Sequence, residues 1–282
     1  IGMFITLLWD IKLDVGQSVR TIKETVKLAK DDISIATNLV ESRLLCGSEQ
    51  VFDKLWDEVN GRNSWTSKAF FTAKYEEQKN RHAKFNGTAY NLEPNIKEGP
   101  GGFRDLQTLT WVAKRNYKTN SLLDLYNINI ITKKEYLALL RSERFLSKTR
   151  FLLHYFHDKP EERLYFSNQK KLAELFGHDC RTNTGVEKFM QNFYKHIANI
   201  KQLNEILIKH IENSIDEKEN DKNKIIIKDF YIKNNSISLI NKNVFINNPS
   251  KIFEIFLLKN QDGDLYDISA NTIRYIRESL YL

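Results

Sequence analysis

A glycine-rich loop over residues 97–105 holds the residue types best suited to chemistry in this sequence. Proline has no amide hydrogen, and glycine tolerates positive φ and close backbone approach, so Gly99-Pro100-Gly101-Gly102 must interrupt the helices predicted around it. The next helix starts near Asp105, so the loop opens onto a helix N-terminus, which favours an anion. A tight corner between helices, with glycines that serve packing alone, is an equally open interpretation. The candidate binding residues are Lys97, Gly99, Gly101, Gly102, Arg104 and Asp105.

A group of polar residues at helical spacing precedes this loop. Lys74, Gln78, Arg81 and His82 fall on one face of a helix predicted over Ser67–Phe85. A histidine in this position could form hydrogen bonds or transfer a proton. Charged side chains are usually exposed, so the pattern favours a solvated face over a site. Arg81 and His82 remain candidate binding residues beside the loop.

Carboxylates are the other candidate group. Metal-assisted transfer of a phosphoryl or nucleotidyl group requires two or three carboxylates around Mg²⁺. Asp14 lies in a segment predicted as a strand, which is the setting of a single metal ligand, and Asp32 lies just before a second apolar segment. Each of them alone is more often a surface acid. The sequence has no strand with Asp-x-Asp, no P-loop, and no GxSxG or HExxH motif.

Composition narrows the class of protein. The 282 residues are 41% hydrophobic and 28% charged, so a sizeable core is possible. The net charge of +7 suits an anionic ligand, but the basic residues are scattered without interleaved aromatic platforms, so we expect no nucleic acid partner. Two cysteines without a CxxC motif fit a reducing compartment, hence the cytoplasm. No apolar run approaches about 18 residues, so no membrane span is predicted.

Residues 1–48 resemble a small α/β piece in their hydrophobic pattern. Alternating residues over Lys12–Thr21 predict a strand, and Thr21 then caps a helix as part of a capping box with Glu24. Ile33–Thr37 fits either a strand or a helix start, and Asn38–Leu45 fits a helix.

Helical periods dominate residues 49–213. They include a long amphipathic helix over Gly185–Ile211, whose apolar stripe predicts core. The charged run Ser214–Lys224 predicts a linker. Ile225–Ile246 predicts two or three short antiparallel strands, and helices close the chain. The pattern as a whole predicts a mainly α protein.

Several long segments resemble one known family. They include LLWDIKLDVGQSVRT, DISIATNLVESRLLCG and NTIRYIRESL, and above all TAYNLEPNIKEGPGGFRDLQT, which contains the loop. These segments are similar to the bacterial P-II protein uridylyltransferase/uridylyl-removing enzymes. A related Gly-rich loop occurs in the glutamine synthetase adenylyltransferases, the sister family.

The resemblance implies a fold and a domain order. We expect a truncated α/β nucleotidyltransferase piece of the polymerase-β type at residues 1–48. A helical-bundle substrate domain would follow at 49–213. Residues 214–282 would be a linker with short strands and helices. The family's Gly-Ser turn, Asp-x-Asp strand, HD-type hydrolase domain and ACT domains are expected outside these 282 residues, so the chain is interpreted as a fragment.

The resemblance also implies an activity. The family transfers UMP from UTP, with Mg²⁺, to a tyrosine of the P-II nitrogen-signalling protein, and removes it in its HD domain. Glutamine would act through the C-terminal domains. Asp14 would supply the third metal carboxylate, with Asp32 as the alternative, and the loop would line the nucleotide cleft or contact P-II. A fragment with one of three carboxylates should be inactive. A second hypothesis is a helical module that binds a protein partner or an anion without chemistry.

Overall fold

A computed structural model describes residues 2–61, 64–217, 224–233, 236–241, 243–261 and 267–280. Within them the protein is mainly helical, as predicted. The chain divides into two compact units, Ile1–Thr66 and Ser67–Leu282. The domains predicted from the resemblance, 1–48, 49–213 and 214–282, are not tested by this division and stay predictions. No described helix is both long enough and apolar enough to cross a membrane.

Four helices make up the described part of the first unit. They are α1 (Gly2–Asp10), α2 (Ile22–Asp31), α3 (Ile33–Val40) and α4 (Glu49–Asn60). Helix α2 begins with the predicted capping box: the Thr21 side chain accepts from the Glu24 amide, and the Glu24 carboxylate accepts from the Thr21 amide. Helices α3 and α4 both pack against α2.

The strand predicted over Lys12–Thr21 is wrong. Lys12 has a φ of 64°, residues 13–20 are irregular, and Leu13 and Val19 are exposed. An extended segment becomes a strand only when a neighbour pairs with its backbone, and the described part of this unit offers no partner strand. Of the two alternatives for Ile33–Thr37, the helix start is confirmed, because α3 begins at Ile33. Helix α3 ends at Val40 rather than at the predicted Leu45.

The second unit is built on one long helix, against which several of its other helices pack. The described helices of this unit are α5 (Ser67–Ala83), α6 (Phe103–Tyr117), α7 (Leu122–Asn127), α8 (Lys133–His157), α9 (Phe166–Leu175), α10 (Thr184–Glu217), α11 (Val244–Asn247), α12 (Lys251–Gln261) and α13 (Ala270–Ser279). Helix α10 contacts α5, α6, α8, α9 and α13. Its predicted apolar stripe is core, since Phe193, Ile200 and Leu207 are fully buried.

The predicted linker over Ser214–Lys224 is wrong at its start, because α10 continues to Glu217. Residues 218–223 lie outside the described residues. The charged composition of this run concealed the end of the helix. Helix α10 nevertheless buries one apolar side chain there, that of Ile215.

A small sheet follows α10. Its strands are β1 (Lys224–Ile227), β2 (Phe230–Lys233), β3 (Ser236–Leu239) and β4 (Asp267–Ile268), in that spatial order. The first three are antiparallel, as predicted, whereas β4 pairs parallel to β3 and was not predicted. The turn residues Asn234 and Asn235 lie outside the described residues. The sheet forms its own core with α11, α12 and α13, centred on Phe230, Ile237, Phe245 and Ile255.

Candidate functional site

The glycine-rich loop connects α5 to α6 and is held by its own backbone. The Asn95 side-chain oxygen accepts from the amides of Lys97 and Glu98, at 3.0 and 2.7 Å. The amides of Gly99, Gly102, Phe103, Arg104 and Asp105 donate to carbonyls of residues 95–102. The Gly101 amide donates to the Asp105 carboxylate at 2.7 Å. Every amide from Lys97 to Asp105 therefore has an internal acceptor, which favours the tight-corner interpretation for the backbone.

The glycines of the loop are required by close packing. A Cβ at Gly101 would lie 2.4 Å from the Ile197 carbonyl oxygen of α10, and the residue has a φ of +81°. A Cβ at Gly102 would lie 2.5 Å from the Ile96 carbonyl oxygen, and one at Gly99 would lie 2.7 Å from that of Asn95. The predicted break in the helical pattern thus corresponds to a corner pressed against α10.

Asp105 is the centre of a buried charged cluster. Its carboxylate is fully buried, and Oδ1 accepts from Arg81 Nη2 at 2.6 Å. His82 Nε2 lies 2.8 Å from the same oxygen, and because a carboxylate only accepts, Nε2 carries the hydrogen. Arg81 also donates from Nη1 to the Glu98 carbonyl at 2.9 Å. The structure therefore brings Arg81, His82, Gly101 and Asp105 together at one corner.

Opposing effects set the pKa of Asp105. Burial would raise it, but the hydrogen bond from His82 and the charge and hydrogen bond of Arg81 outweigh burial and hold the pKa of Asp105 below its usual value. Such a carboxylate stabilises the fold above its unfolded-state pKa, and this contribution is lost as the pH falls through the folded-state pKa.

This sign gives a pH prediction. The difference in free energy of unfolding between the wild type and Asp105→Asn should shrink as the pH drops below about 4. Urea unfolding at a series of pH values measures it. A difference that grows as the pH falls from about 4 to about 2 would contradict the assigned direction.

The polar face of α5 is buried, contrary to the solvated face that the sequence favoured. Lys74 is 3% exposed and Gln78 is 5% exposed. Gln78 Nε2 donates to Asn204 Oδ1 at 2.7 Å, and Asn204 Nδ2 donates to the Asp105 carbonyl at 2.9 Å. Asn204 of α10 was missed by the sequence reasoning. The sequence does contain a signal for this residue, because Asn204 is a polar residue that directly follows Leu203 of the apolar stripe.

The basic side chains of the loop remain partly accessible. Lys97 Nζ lies 4.0 Å from Glu98 Oε1, and the Lys97 side chain is 33% exposed. Arg104 donates to Glu98 at 3.2 Å and to Gln107 at 2.8 Å. These two cations, rather than the loop amides, are what the loop can offer to an anionic group.

A second segment, residues 162–164, supports the loop. Its position beside the loop was not predicted from the sequence. The Ile96 amide donates to the Glu162 carbonyl at 2.8 Å, and the Leu164 amide donates to the Pro94 carbonyl at 2.9 Å. The Glu162 carboxylate is held by Arg150 of α8, with Arg150 Nε 2.8 Å from Oε2. Residues 94–96 are therefore fixed by the segment that follows α8.

Comparison with known proteins identifies the family. The model of the GlnD PII-uridylyltransferase family matches residues 69–208, and that of the uridylyltransferase GlnD third domain matches residues 230–282. The chain belongs to the GlnD uridylyltransferase family. The GlnD match over residues 69–208 includes all of α5 except its first two residues, the entire loop and most of α10.

Curated relatives of this GlnD chain carry one name. Proteins of Photobacterium profundum, Hydrogenovibrio crunogenus and Pseudomonas fluorescens are each 40% identical to it over 98–100% of the chain. Each is named a bifunctional uridylyltransferase/uridylyl-removing enzyme. The chain spans 32% of the length of each relative. No solved structure matches the chain.

The two candidate catalytic aspartates of this GlnD chain lie in the first unit. Asp14 is an exposed residue of the irregular segment after α1. Asp32 caps α3, with its Oδ1 accepting from the Ser34 amide at 2.6 Å and from the Ile35 amide at 3.4 Å. Across residues whose placement is described, His, Cys, Asp and Glu form no group of three that could hold a metal ion.

Proposed function

We propose that this chain is part of a Mg²⁺-dependent enzyme that transfers UMP from UTP to a tyrosine of the P-II protein. The observation that carries the proposal is the match to the PII-uridylyltransferase family over residues 69–208, which contain the entire glycine-rich loop. Removal of UMP, a response to glutamine and a cytoplasmic location belong to the same proposal. They rest on the resemblance and on the relatives' name.

Asp14 is the better of the two candidate carboxylates for Mg²⁺. It is exposed, and a free carboxylate oxygen is a ligand that Mg²⁺ accepts. Asp32 already uses Oδ1 to cap α3. Asp14 would supply one oxygen ligand, and the remaining ligands must come from outside the described residues. When bound, the ion would neutralise charge on the triphosphate.

The chemistry of the proposed transfer is a displacement at phosphorus. The tyrosine hydroxyl of P-II attacks the α-phosphorus of UTP in line, and pyrophosphate leaves. The contribution of this chain is a rigid corner that holds two cationic side chains, Lys97 and Arg104. The buried Arg81–Asp105–His82 cluster positions that corner, because it ties α5 to the start of α6.

The proposal is tested with the complete gene product that carries this chain. Incubation with UTP, Mg²⁺ and P-II should add one UMP mass to a tyrosine of P-II, detected by mass spectrometry. The isolated 282-residue chain should add none, because it has no strand carrying Asp-x-Asp. Asp14→Asn should reduce transfer more than Asp32→Asn does. Failure of the complete gene product to modify P-II would refute the proposal.

Lys97→Ala should raise the KM for UTP about tenfold, because a cation near the phosphates contributes on the order of 1.4 kcal/mol. Lys97→Arg should keep most of the affinity because it keeps the charge. Steady-state kinetics of UMP transfer measures both. Lys159→Ala is the matched control, since Lys159 is an exposed lysine outside the loop. Equal KM values for Lys97→Ala and Lys159→Ala would remove Lys97 from the nucleotide site.

A further inference from the structure

A small polar cavity of about 130 Å³ lies in the second unit, between the last turns of α10, the sheet and the start of α13. Pockets for drug-sized molecules have roughly 300–1,000 Å³, whereas one buried water needs only about 10–15 Å³. The cavity therefore has the size of a site for a small ion. Nothing in the proposed transfer reaction uses it.

One wall of the cavity is the face of the sheet that is turned away from the sheet's hydrophobic core. Successive side chains of a strand point to opposite faces. Ile237 of β3 belongs to the core, so its neighbours Ser236 and Ser238 lie on the other face, and both line the cavity. Tyr231 and Lys233 of β2, which are paired with them in the ladder, line it as well. The sheet thus presents a polar surface to α10.

The hydroxyl group of Ser236 points to a ligand. Ser236 is only 9% exposed, and its Oγ forms no hydrogen bond with any described residue. Oγ does not belong to the unpaired side-chain atoms that are closed to solvent in the described part of the chain, so it opens onto the cavity. A buried hydroxyl without a partner is destabilising, and a ligand that accepts from it removes that penalty.

The start of α13 adds backbone donors to the same cavity. The amide of Ser269, the N-cap residue, donates to the Ile237 carbonyl at 3.0 Å, which fixes this helix end against β3. The Thr272 amide donates to Ser269 Oγ at 3.4 Å. The amides of Ala270 and Asn271, two residues that line the cavity, donate to no described residue. Unpaired amides at the positive end of a helix favour an anion.

The charges of the lining favour the same sign of ligand. Among the described residues that line the cavity, none carries a carboxylate, and Lys233 carries a positive charge. His210 of α10 also lines it. Burial lowers the pKa of His210, and the charge of Arg274 lowers it further, so near neutral pH the imidazole is uncharged and donates one hydrogen bond. A divalent cation would require carboxylate ligands, whereas this lining is rich in donors.

We propose that this cavity binds a free tetrahedral oxyanion of the size of inorganic phosphate. The hydroxyl groups of Ser236 and Ser238 and the amides of Ala270 and Asn271 donate to its oxygens. Ser214, a half-buried residue of α10 that lines the cavity, donates from the opposite wall. No residue of this lining belongs to the glycine-rich loop, so the site is separate from the one that Lys97 and Arg104 offer to UTP.

The probe is inorganic phosphate, titrated by calorimetry into the complete gene product at constant ionic strength, without UTP and P-II. We expect a Kd of about 1 mM or tighter. Phenyl phosphate carries the same charged group on a ring for which the cavity has no room, so it should bind at least about tenfold more weakly. No phosphate binding at about 10 mM, or equal binding of phenyl phosphate, would overturn the proposal.

Variants locate the site. Ser236→Ala should weaken phosphate at least about tenfold. It breaks no existing hydrogen bond, so the urea midpoint measured without phosphate should not fall, which a structural role of the hydroxyl would not predict. Ser214→Ala, on the opposite wall, should weaken phosphate about threefold. Ser167→Ala, at an exposed serine of α9, is the matched control and should leave the affinity unchanged. Unchanged affinity in both Ser236→Ala and Ser214→Ala would place the anion elsewhere and refute the assignment.

Discussion

Replacing Asp105 with asparagine should lower the free energy of unfolding by about 3 kcal/mol. The wild-type carboxylate is fully buried and the Arg81 side chain is 10% exposed, so the substitution removes the buried counter-charge of a desolvated guanidinium. Glu98 Oε2, at 3.9 Å from Arg81 Nε, is the carboxylate that remains near it. Asparagine keeps one oxygen for the Gly101 amide or for Arg81, but it cannot serve both and His82 as well. The loss is therefore mainly the uncompensated charge rather than a change of shape.

Urea unfolding followed by circular dichroism measures this effect. Asp158→Asn is the matched control, because Asp158 is an exposed residue at the end of α8 with a φ of 50°. Asparagine tolerates that left-handed conformation, so the control should change stability by less than about 0.5 kcal/mol. A loss below about 1 kcal/mol for Asp105→Asn would mean that the cluster is solvated and that the corner is not held by it.

Gly101→Ala should cost about 3 kcal/mol as well, through two separable effects. Its φ of +81° disfavours any residue with a Cβ by about 1 kcal/mol. The added methyl group would also lie 2.4 Å from the Ile197 carbonyl oxygen and 2.8 Å from Ile197 Cγ2. Both contacts are on α10, so the loop must move away from that helix, at about 2 kcal/mol for overpacking.

Gly177→Ala separates the two effects. Gly177 has a φ of +86°, but no atom lies within 4 Å of the position of its Cβ. It should therefore lose only the conformational part, about 1 kcal/mol. The difference between the two variants, from urea unfolding under the same conditions, measures the contact with α10. Equal losses in the free energy of unfolding at the two positions would show that the loop moves away from α10 with no energetic penalty.

Local sequence predicted local structure well. The capping box at Thr21, which the sequence predicted, is present. The long stripe of α10 and the break at the glycine-rich loop are also confirmed. These features depend on neighbours within a few residues along the chain, which is why a pattern of residue types reveals them.

The strand predicted at Lys12–Thr21 shows where local reasoning ends. Alternation describes which side chains would share a face, but pairing depends on a distant segment that the pattern does not identify. Strand β4 is the opposite case, a strand that the sequence did not predict. It has two residues, Asp267 and Ile268, too few for any alternation, and it exists because β3 offers an edge.

The sequence by itself determined most of the candidate residues. The glycines and the two flanking cations were evident from residue types and spacing, and the wording of the loop was specific enough to resemble one family. Helical spacing also grouped Arg81 with His82. Each of these inferences uses a short range along the chain, where geometry is fixed by the backbone.

Only the tertiary structure decided what those residues do. Burial of Asp105 beside Arg81 and His82 converts a plausible surface group into a positioning cluster, because charges removed from water must be paired. The loop amides became internal donors because Asn95 and Asp105 reach them. Asn204, 99 residues beyond Asp105, fixes the orientation of Gln78, and no spacing rule connects positions so far apart.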